Sequence, residues 1–335
     1  MHHSGGFLRL KHYYEGAMNM GKRTSETKEN LTVTETKDMK DFTEQVRMIL
    51  SKRYPECELE TRNVIKNNGM VYHGVMIKKQ NSNISPTIYL DDFFEKHRAG
   101  MRVEDVANII AEVYEANKCP ESSEFDFVTD YEKAGKYICF KLINTEKNRE
   151  LLSDVPNIQL CDLSVVFYIL FDQSDGNGSS SLLIRQDLME QWGVGVEELY
   201  RAASENVGRM LPSFVRPITE VVREMAHTAG MEPFDIPDLA EEKVFVASNI
   251  RKTFGAGVIL YDGLLQSLAD DLDDDLYIVP SSVHEVIFMP RYKVEDKDTL
   301  RRMVNEVNTT MVRPEEVLSD NLYLYDRNKH EISVA

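Results

Sequence analysis

The stretch "YIVPSSVHEVIFMP", residues 277–290, decides the class of fold. Two apolar runs, each closed by a proline, flank a short segment of serine, valine, histidine and glutamate. Apolar runs of this length bounded by turn residues predict two short strands, and strands joined by so short a connection must run antiparallel. The connection also gathers side chains of catalytic type. A hydrolase reading takes Ser281 or Ser282 as nucleophile, His284 as base and Glu285 as orienter. Working triads, however, are assembled from distant segments, because three neighbours on one turn point in different directions. The G-x-S-x-G elbow that exposes a nucleophilic serine is also absent. A structural reading covers the same residues: Pro280 stops the strand, and Ser282 with Glu285 makes the S-x-x-E capping box of a helical turn. Ser282, His284 and Glu285 stand as catalytic candidates beside that reading, and His284 is the one residue the box does not require.

Working outward, the same alternation of hairpin and helix recurs. "DMKDFTEQVRMILSKRY" at 38–54 places Phe42, Val46, Ile49 and Leu50 at helical spacing, with Asp38 positioned to cap. Asn68-Gly69 between two alternating runs predicts a hairpin, and "TIYL" at 87–90 a third strand. "DDFFEKHRAG" predicts a short helix ending at Gly100, and "VEDVANIIAEVYEANK" a longer one with Val103, Val106, Ile109, Ile110 and Val113 on one face. "LSVVFYILFD" and "LLIR" predict strands around "QSDGNGSSS", followed by helices over "QDLMEQWG" and "VEELYRAASENVGRM". "YLDDFFEKHRAGMRVEDV" at 89–106 aligns with "LIRQDLMEQWGVGVEEL" at 183–199 with one gap, through duplication or reuse of a common unit. Beyond these, "KVFVASN", "GVILYDG", "LYIVP" and "VIFMP" predict strands. "GLLQSLADDLDD" and "DKDTLRRMVNEVNTT" predict helices, and "NLYLYD" with "EISVA" a closing hairpin over "RNKH". The class expected is α+β, with mostly antiparallel sheets built from repeated hairpin-plus-helix units. The organisation expected is a disordered segment over 1–37, hairpin/helix units over 38–120 and 121–235, and a C-terminal α+β unit over 236–335.

The chain has 335 residues, of which 42% are hydrophobic and 28% charged, the balance of a globular protein. Its longest apolar run, "LSVVFYILF" at 163–171, is strand-sized and far short of the ~20 residues a spanning helix needs. The N-terminus has no continuous apolar core of a secretory signal, so a cytoplasmic protein without membrane attachment is expected. The net charge is -17, from 39 basic and 56 acidic residues. Phosphate binding rests on clustered Lys and Arg, so this balance argues against a nucleic-acid surface and points to a protein partner. Cys57, Cys119, Cys139 and Cys161 form no C-x-x-C pair, which predicts reduced thiols rather than a disulfide or zinc site.

No motif implies a cofactor or a metal. "HEVIF" begins like H-E-x-x-H, but Phe288 stands where the second ligand belongs. His73, His97, His227 and His330 are isolated in sequence. Leu272 interrupts the run Asp270, Asp271, Asp273, Asp274, Asp275 in register with an apolar stripe, which predicts a solvated helix end. "DQSDGNG" at 172–178 lacks the spacing and the twelfth-position Glu of a calcium loop. "FGAGVILYDG" offers Gly255 and Gly257, but a phosphate cradle opens a helix, and "VILY" predicts a strand. The expectation is a non-enzymatic protein acting through binding, with a hydrolase site near His284 and Glu285 as the alternative.

"SPTIYLDDFFEKHRAGMRVEDV", "ASENVGRMLP", "LYIVPSSVHEVIFMP" and "VNTTMVRPEEVLSDNLYLYD" resemble the family catalogued as domain of unknown function 5688. The resemblance spans about residues 40–330, and the C-terminal pieces are its most specific part. It implies a cytoplasmic protein of Gram-positive gut anaerobes. It supplies no activity, cofactor or catalytic residue.

Overall fold

A computed structural model describes residues 33–79, 87–116, 126–172, 179–228 and 243–335. Among these residues the fold is α+β with three antiparallel sheets. Two compact units divide between Val128 and Thr129.

The first unit opens with helix α1 (Val33–Arg53). Residues 33–37, expected to precede any structure, are its first residues, so Asp38 is not its cap. No glycine or proline occurs between 33 and 53 to stop the helix upstream. Its stripe Met39, Phe42, Val46 and Leu50 is buried. Strands β1 (Cys57–Ile65), β2 (Val71–Lys79) and β3 (Thr87–Tyr89) form a meander in that order. The β1–β2 turn has Asn68 at φ 59° and Gly69 at φ 68°, the left-handed pair that an Asn-Gly hairpin needs. Helices α2 (Asp91–Arg98) and α3 (Val103–Ala116) complete the unit. The buried stripe of α3 is Val103, Val106, Ala107, Ile110, Ala111 and Tyr114. Val113, expected on that face, is 37% exposed, because Tyr114 takes the inward position one residue on. His73 is tied to the start of α2, where the Asp91 carboxylate accepts its backbone N–H at 2.9 Å and meets its Nδ1 at 3.0 Å.

In the second unit, β4 (Ile138–Asn144), β5 (Asn157–Leu160), β6 (Leu163–Asp172) and β7 (Ser179–Leu183) form one sheet. β4 pairs with residues 163–169 of β6, while β5 takes 163–166 and β7 takes 168–172, sharing the opposite edge. Helices α4 (Gln186–Trp192) and α5 (Val196–Met210) follow. Gly193 ends α4 at φ 67°. The local order strand, short helix, longer helix thus occurs at both 87–116 and 179–210. The sheets around it differ, one a meander and the other built on a shared central strand.

The remaining strands, β8 (Ser213–Pro217), β9 (Phe245–Asn249), β10 (Leu276–Pro280), β11 (Val286–Pro290), β12 (Tyr323–Asp326) and β13 (Glu331–Val334), form a six-stranded sheet. Its order is β13-β12-β10-β11-β9-β8. Helices α6 (Ile218–Thr228) and α8 (Lys297–Thr310) supply Ile218, Val222, Leu300 and Val304 to a core shared with Val246, Tyr277, Val279 and Met289. Between them in sequence, α7 (Leu264–Leu272) buries Leu265, Leu268 and Leu272. "GVILYDG" is not a strand: Gly255–Leu260 is a 3-10 helix, buried from Gly255 through Ile259. A segment buried on every side carries no polar face, so its apolar run did not reveal its period. The tip of "DQSDGNG" (173–178) and Cys119 lie outside the described residues.

Candidate functional site

Strands β10 and β11 pair from Leu276↔Pro290 to Pro280↔Val286, leaving residues 281–285 as the hairpin loop. No helical turn forms there, so the expected capping box is corrected. The Ser282 hydroxyl accepts the His284 N–H at 3.0 Å, and the Ser282 N–H donates to the Glu285 carbonyl at 3.2 Å. This is a serine turn closing a hairpin; the following residues enter the β11 ladder at once, so no helix remains to be capped. The Glu285 carboxylate accepts instead from the Ser281 hydroxyl at 3.3 Å. Burial pushes the Glu285 carboxyl above the usual glutamate range, partly offset by that hydroxyl.

His284 faces away from both serines. Its Nδ1 accepts the backbone N–H of Phe254 at 3.2 Å, which leaves the neutral ring's proton on Nε2. Nε2 lies 3.7 Å from Oε1 of Glu316. The imidazole pointing at it holds the Glu316 carboxyl below the usual range, against partial burial. The acid paired with His284 is therefore Glu316, thirty-two positions on, and not its neighbour Glu285. The ring also stacks on Phe254, with centroids 5.9 Å apart and planes at 15°. Phe254 is held in turn by the edge of Tyr168 at 5.5 Å and by Lys141, whose Nζ sits 4.1 Å from the ring centroid.

Local sequence explains why Phe254 arrives there. Asn249 at the end of β9 accepts the Arg251 N–H through Oδ1 at 3.0 Å and donates from Nδ2 to the Thr253 carbonyl at 2.8 Å. The tightened loop puts Lys252 at φ 51° and Phe254 at φ 54°. Both are non-glycine residues in the left-handed region, a strain the surrounding contacts sustain. Gly255 then passes so close to its neighbours that a Cβ would lie 2.0 Å from Ser248 Oγ and 2.4 Å from the His284 carbonyl oxygen. That carbonyl accepts the Ser248 hydroxyl at 2.7 Å. The hairpin loop is further pinned by Val283 N–H to the Glu316 carbonyl at 2.8 Å and Ala256 N–H to the Val283 carbonyl at 3.2 Å. Gly255 thus serves a close approach of three chain segments, and its 3-10 helix is too short and too buried to cradle a phosphate.

A second polar cluster centres on Asp162, in the turn between β5 and β6. Its carboxylate accepts from Ser319 Oγ at 2.7 Å, Asn321 Nδ2 at 3.1 Å and Tyr323 OH at 2.7 Å. Asn144 donates to the Leu318 carbonyl at 3.1 Å, and Asn308 to the Ser319 carbonyl at 2.9 Å. Apart from Asn308, the acceptors and donors on the C-terminal side fall within "LSDNLY" (318–323), inside the segment that carries the resemblance.

The aspartate run near 270–275 does not fan into solvent throughout. Asp273 bonds Arg327 at 2.6 Å, Asp274 accepts the Tyr292 N–H at 2.8 Å, and Asp275 accepts the Arg327 N–H at 3.1 Å. These carboxylates fasten the β10–β12 end of the sheet. No group of three or more His, Cys, Asp or Glu suited to a metal ion occurs among the described residues. His97 stacks on Phe42, and His330 lies 3.3 Å from Tyr325 OH.

Sequence reasoning missed Phe254, Ser248 and Glu316, since contacts across such separations leave no spacing to detect. No helix among the described residues is long and apolar enough to cross a membrane. No curated protein and no solved structure matches the chain. One family model does match, over residues 39–327, and so the chain belongs to the family described as Family of unknown function (DUF5688).

Proposed function

We propose that this protein acts by binding a protein partner, in the cytoplasm, and not by catalysis. The observation that carries the reading is how the reactive groups of the 281–285 loop are used. Ser281 is engaged by Glu285, Ser282 by the His284 N–H, and His284 by Phe254 and Glu316. Among the described residues no hydroxyl meets the imidazole, so the nucleophile–base contact of acyl transfer is not made there. Ser282, His284 and Glu285 are proposed as the residues that fix the hairpin against the 248–256 loop and the 313–316 turn. The acidic balance of -17 supports a basic protein surface as the complementary partner and argues against nucleic acid.

The test is complementation of a chromosomal deletion with His284→Asn, which keeps a side-chain acceptor for the Phe254 N–H. If the variant folds, restores the phenotype and still recovers the same partner in reciprocal pulldowns, the binding reading stands. A folded variant that retains the partner but loses the phenotype returns His284 to the catalytic reading.

A further inference from the structure

We infer that strand β1 pairs antiparallel with β1 of a second copy of this chain, about a two-fold axis through Thr61. Among the described residues β1 is the edge of its sheet, nine residues long, and pairs with β2 without interruption from Cys57↔Lys79 to Ile65↔Val71. Edge strands are ordinarily blunted by shortness, proline, lysine, a bulge or a covering element. "CELETRNVI" has none of the first four, its charges being Glu58, Glu60 and Arg62, and Glu60, Thr61, Arg62 and Asn63 are all exposed, so nothing among the described residues covers its centre. The edges of the six-stranded sheet differ: β13 has four residues, and β8 ends on Pro217.

The charges select the partner. Among the described residues, no ion pair engages Glu58, which stands opposite Lys78 of β2, or Glu60, which stands opposite Met76, and Arg62 donates only to the Thr87 hydroxyl at 3.2 Å. Opposed residues in an antiparallel pair point to the same face, so β1 can meet its copy only about a residue and not between two. About Thr61, Glu60 opposes Arg62 of the copy and Arg62 opposes its Glu60, both on the face away from the core side that holds Cys57 and Leu59. Glu58 falls diagonal to the same Arg62, within reach of its long side chain. Two threonines meet at the axis, and Ile65, 47% exposed here, comes to lie against Cys57 of the copy. A pairing centred one position either way sets Glu60 against Glu60 or Arg62 against Arg62. The self-complementary register is therefore unique among those adjacent to it, as an isologous interface requires.

This pairing stands apart from the partner binding proposed above, and either can fail without the other. Sedimentation velocity of the full chain over a concentration series tests it, with far-UV circular dichroism as the folding control. The expected result is a reversible dimer whose Kd rises about tenfold or more in Arg62→Glu, where both facing pairs become repulsive. The charge-swapped Glu60→Arg/Arg62→Glu chain is expected to restore it. Oxidation of a Thr61→Cys chain should give a 61–61 disulfide identified by mass spectrometry, while Glu58→Cys, far from its own copy in this register, should not. A monomer at every concentration overturns the inference. So does a dimer indifferent to Arg62→Glu, a charge swap that fails to restore it, or equal cross-linking at position 58.

Discussion

Tyr323 donates a 2.7 Å hydrogen bond to Asp162, a residue 161 positions earlier in the chain. The phenol is buried, and desolvation raises its pKa far above the usual tyrosine range, so it is a permanent donor. Tyr323→Phe removes one of three donors to the carboxylate and should cost ~1 kcal/mol of unfolding free energy in urea. Asp162→Ala leaves the Ser319 and Tyr323 hydroxyls without their acceptor and should cost ~3 kcal/mol. Equal losses for the two variants would show that the carboxylate is not the hub.

Gly255→Ala is expected to destabilise the second unit by ~3 kcal/mol or more, because the added methyl meets a backbone carbonyl as well as a side chain. Removing the movable obstacle with Ser248→Ala should recover only a small part, since the His284 carbonyl stays 2.4 Å from the new atom. Thermal melts of the single and double variants decide it, and full recovery would contradict the close approach.

Two glutamates at the hairpin should act on stability with opposite signs. Glu285 has a raised folded-state pKa, so the folded state binds its proton more readily, and stability falls as pH rises through the window above the ordinary value of 4.5. Glu316 has a lowered one, so its contribution is present above 4.5 and lost as pH falls through the depressed value. Glu285→Gln should therefore raise Tm at neutral pH, and Glu316→Gln should lower it. Both differences should shrink toward zero on acidification. Melts at a series of pH values would falsify this if the two variants moved in the same direction.

Cys139, wholly buried in β4, has its thiol pushed up to about 12 by desolvation. In the folded protein it should resist iodoacetamide, while Cys57 and Cys161, both partly exposed, label faster. Peptide mapping after a brief native pulse checks this. Labelling of Cys139 at the rate of the other two would mean that the β4 region opens readily.

Much of the fold was legible because short-range chemistry fixes it. Asn68-Gly69 specified a left-handed turn, Gly193 a helix end, and Pro280 with Pro290 the limits of two strands. The apolar alternation that marks half-buried elements failed where an element is buried all round. "FGAGVILYDG" therefore concealed a 3-10 helix, and "YICFKLIN" passed unread though it is β4. The loop at 281–285 was legible in its residues and not in its contacts. Ser282 and Glu285 have the spacing of a capping box, but whether a helix follows is decided by β9 and β12, which pair on either side of the hairpin. Glu316 was invisible for the same reason: its meeting with His284 is a product of sheet order and not of any sequence interval.

The position of the Asp162 partners at residues 319–323 sets a schedule for folding during synthesis. The first unit draws its core from residues 39–114 and can close while later residues are still being added. The second unit has no such opportunity. Its β5–β6 turn presents an unanswered carboxylate, and its six-stranded sheet lacks β12, until residues 319–326 have emerged. The interval between those two events is when β10, flanked by β11 on one side only, holds an unpaired edge open to the wrong neighbour.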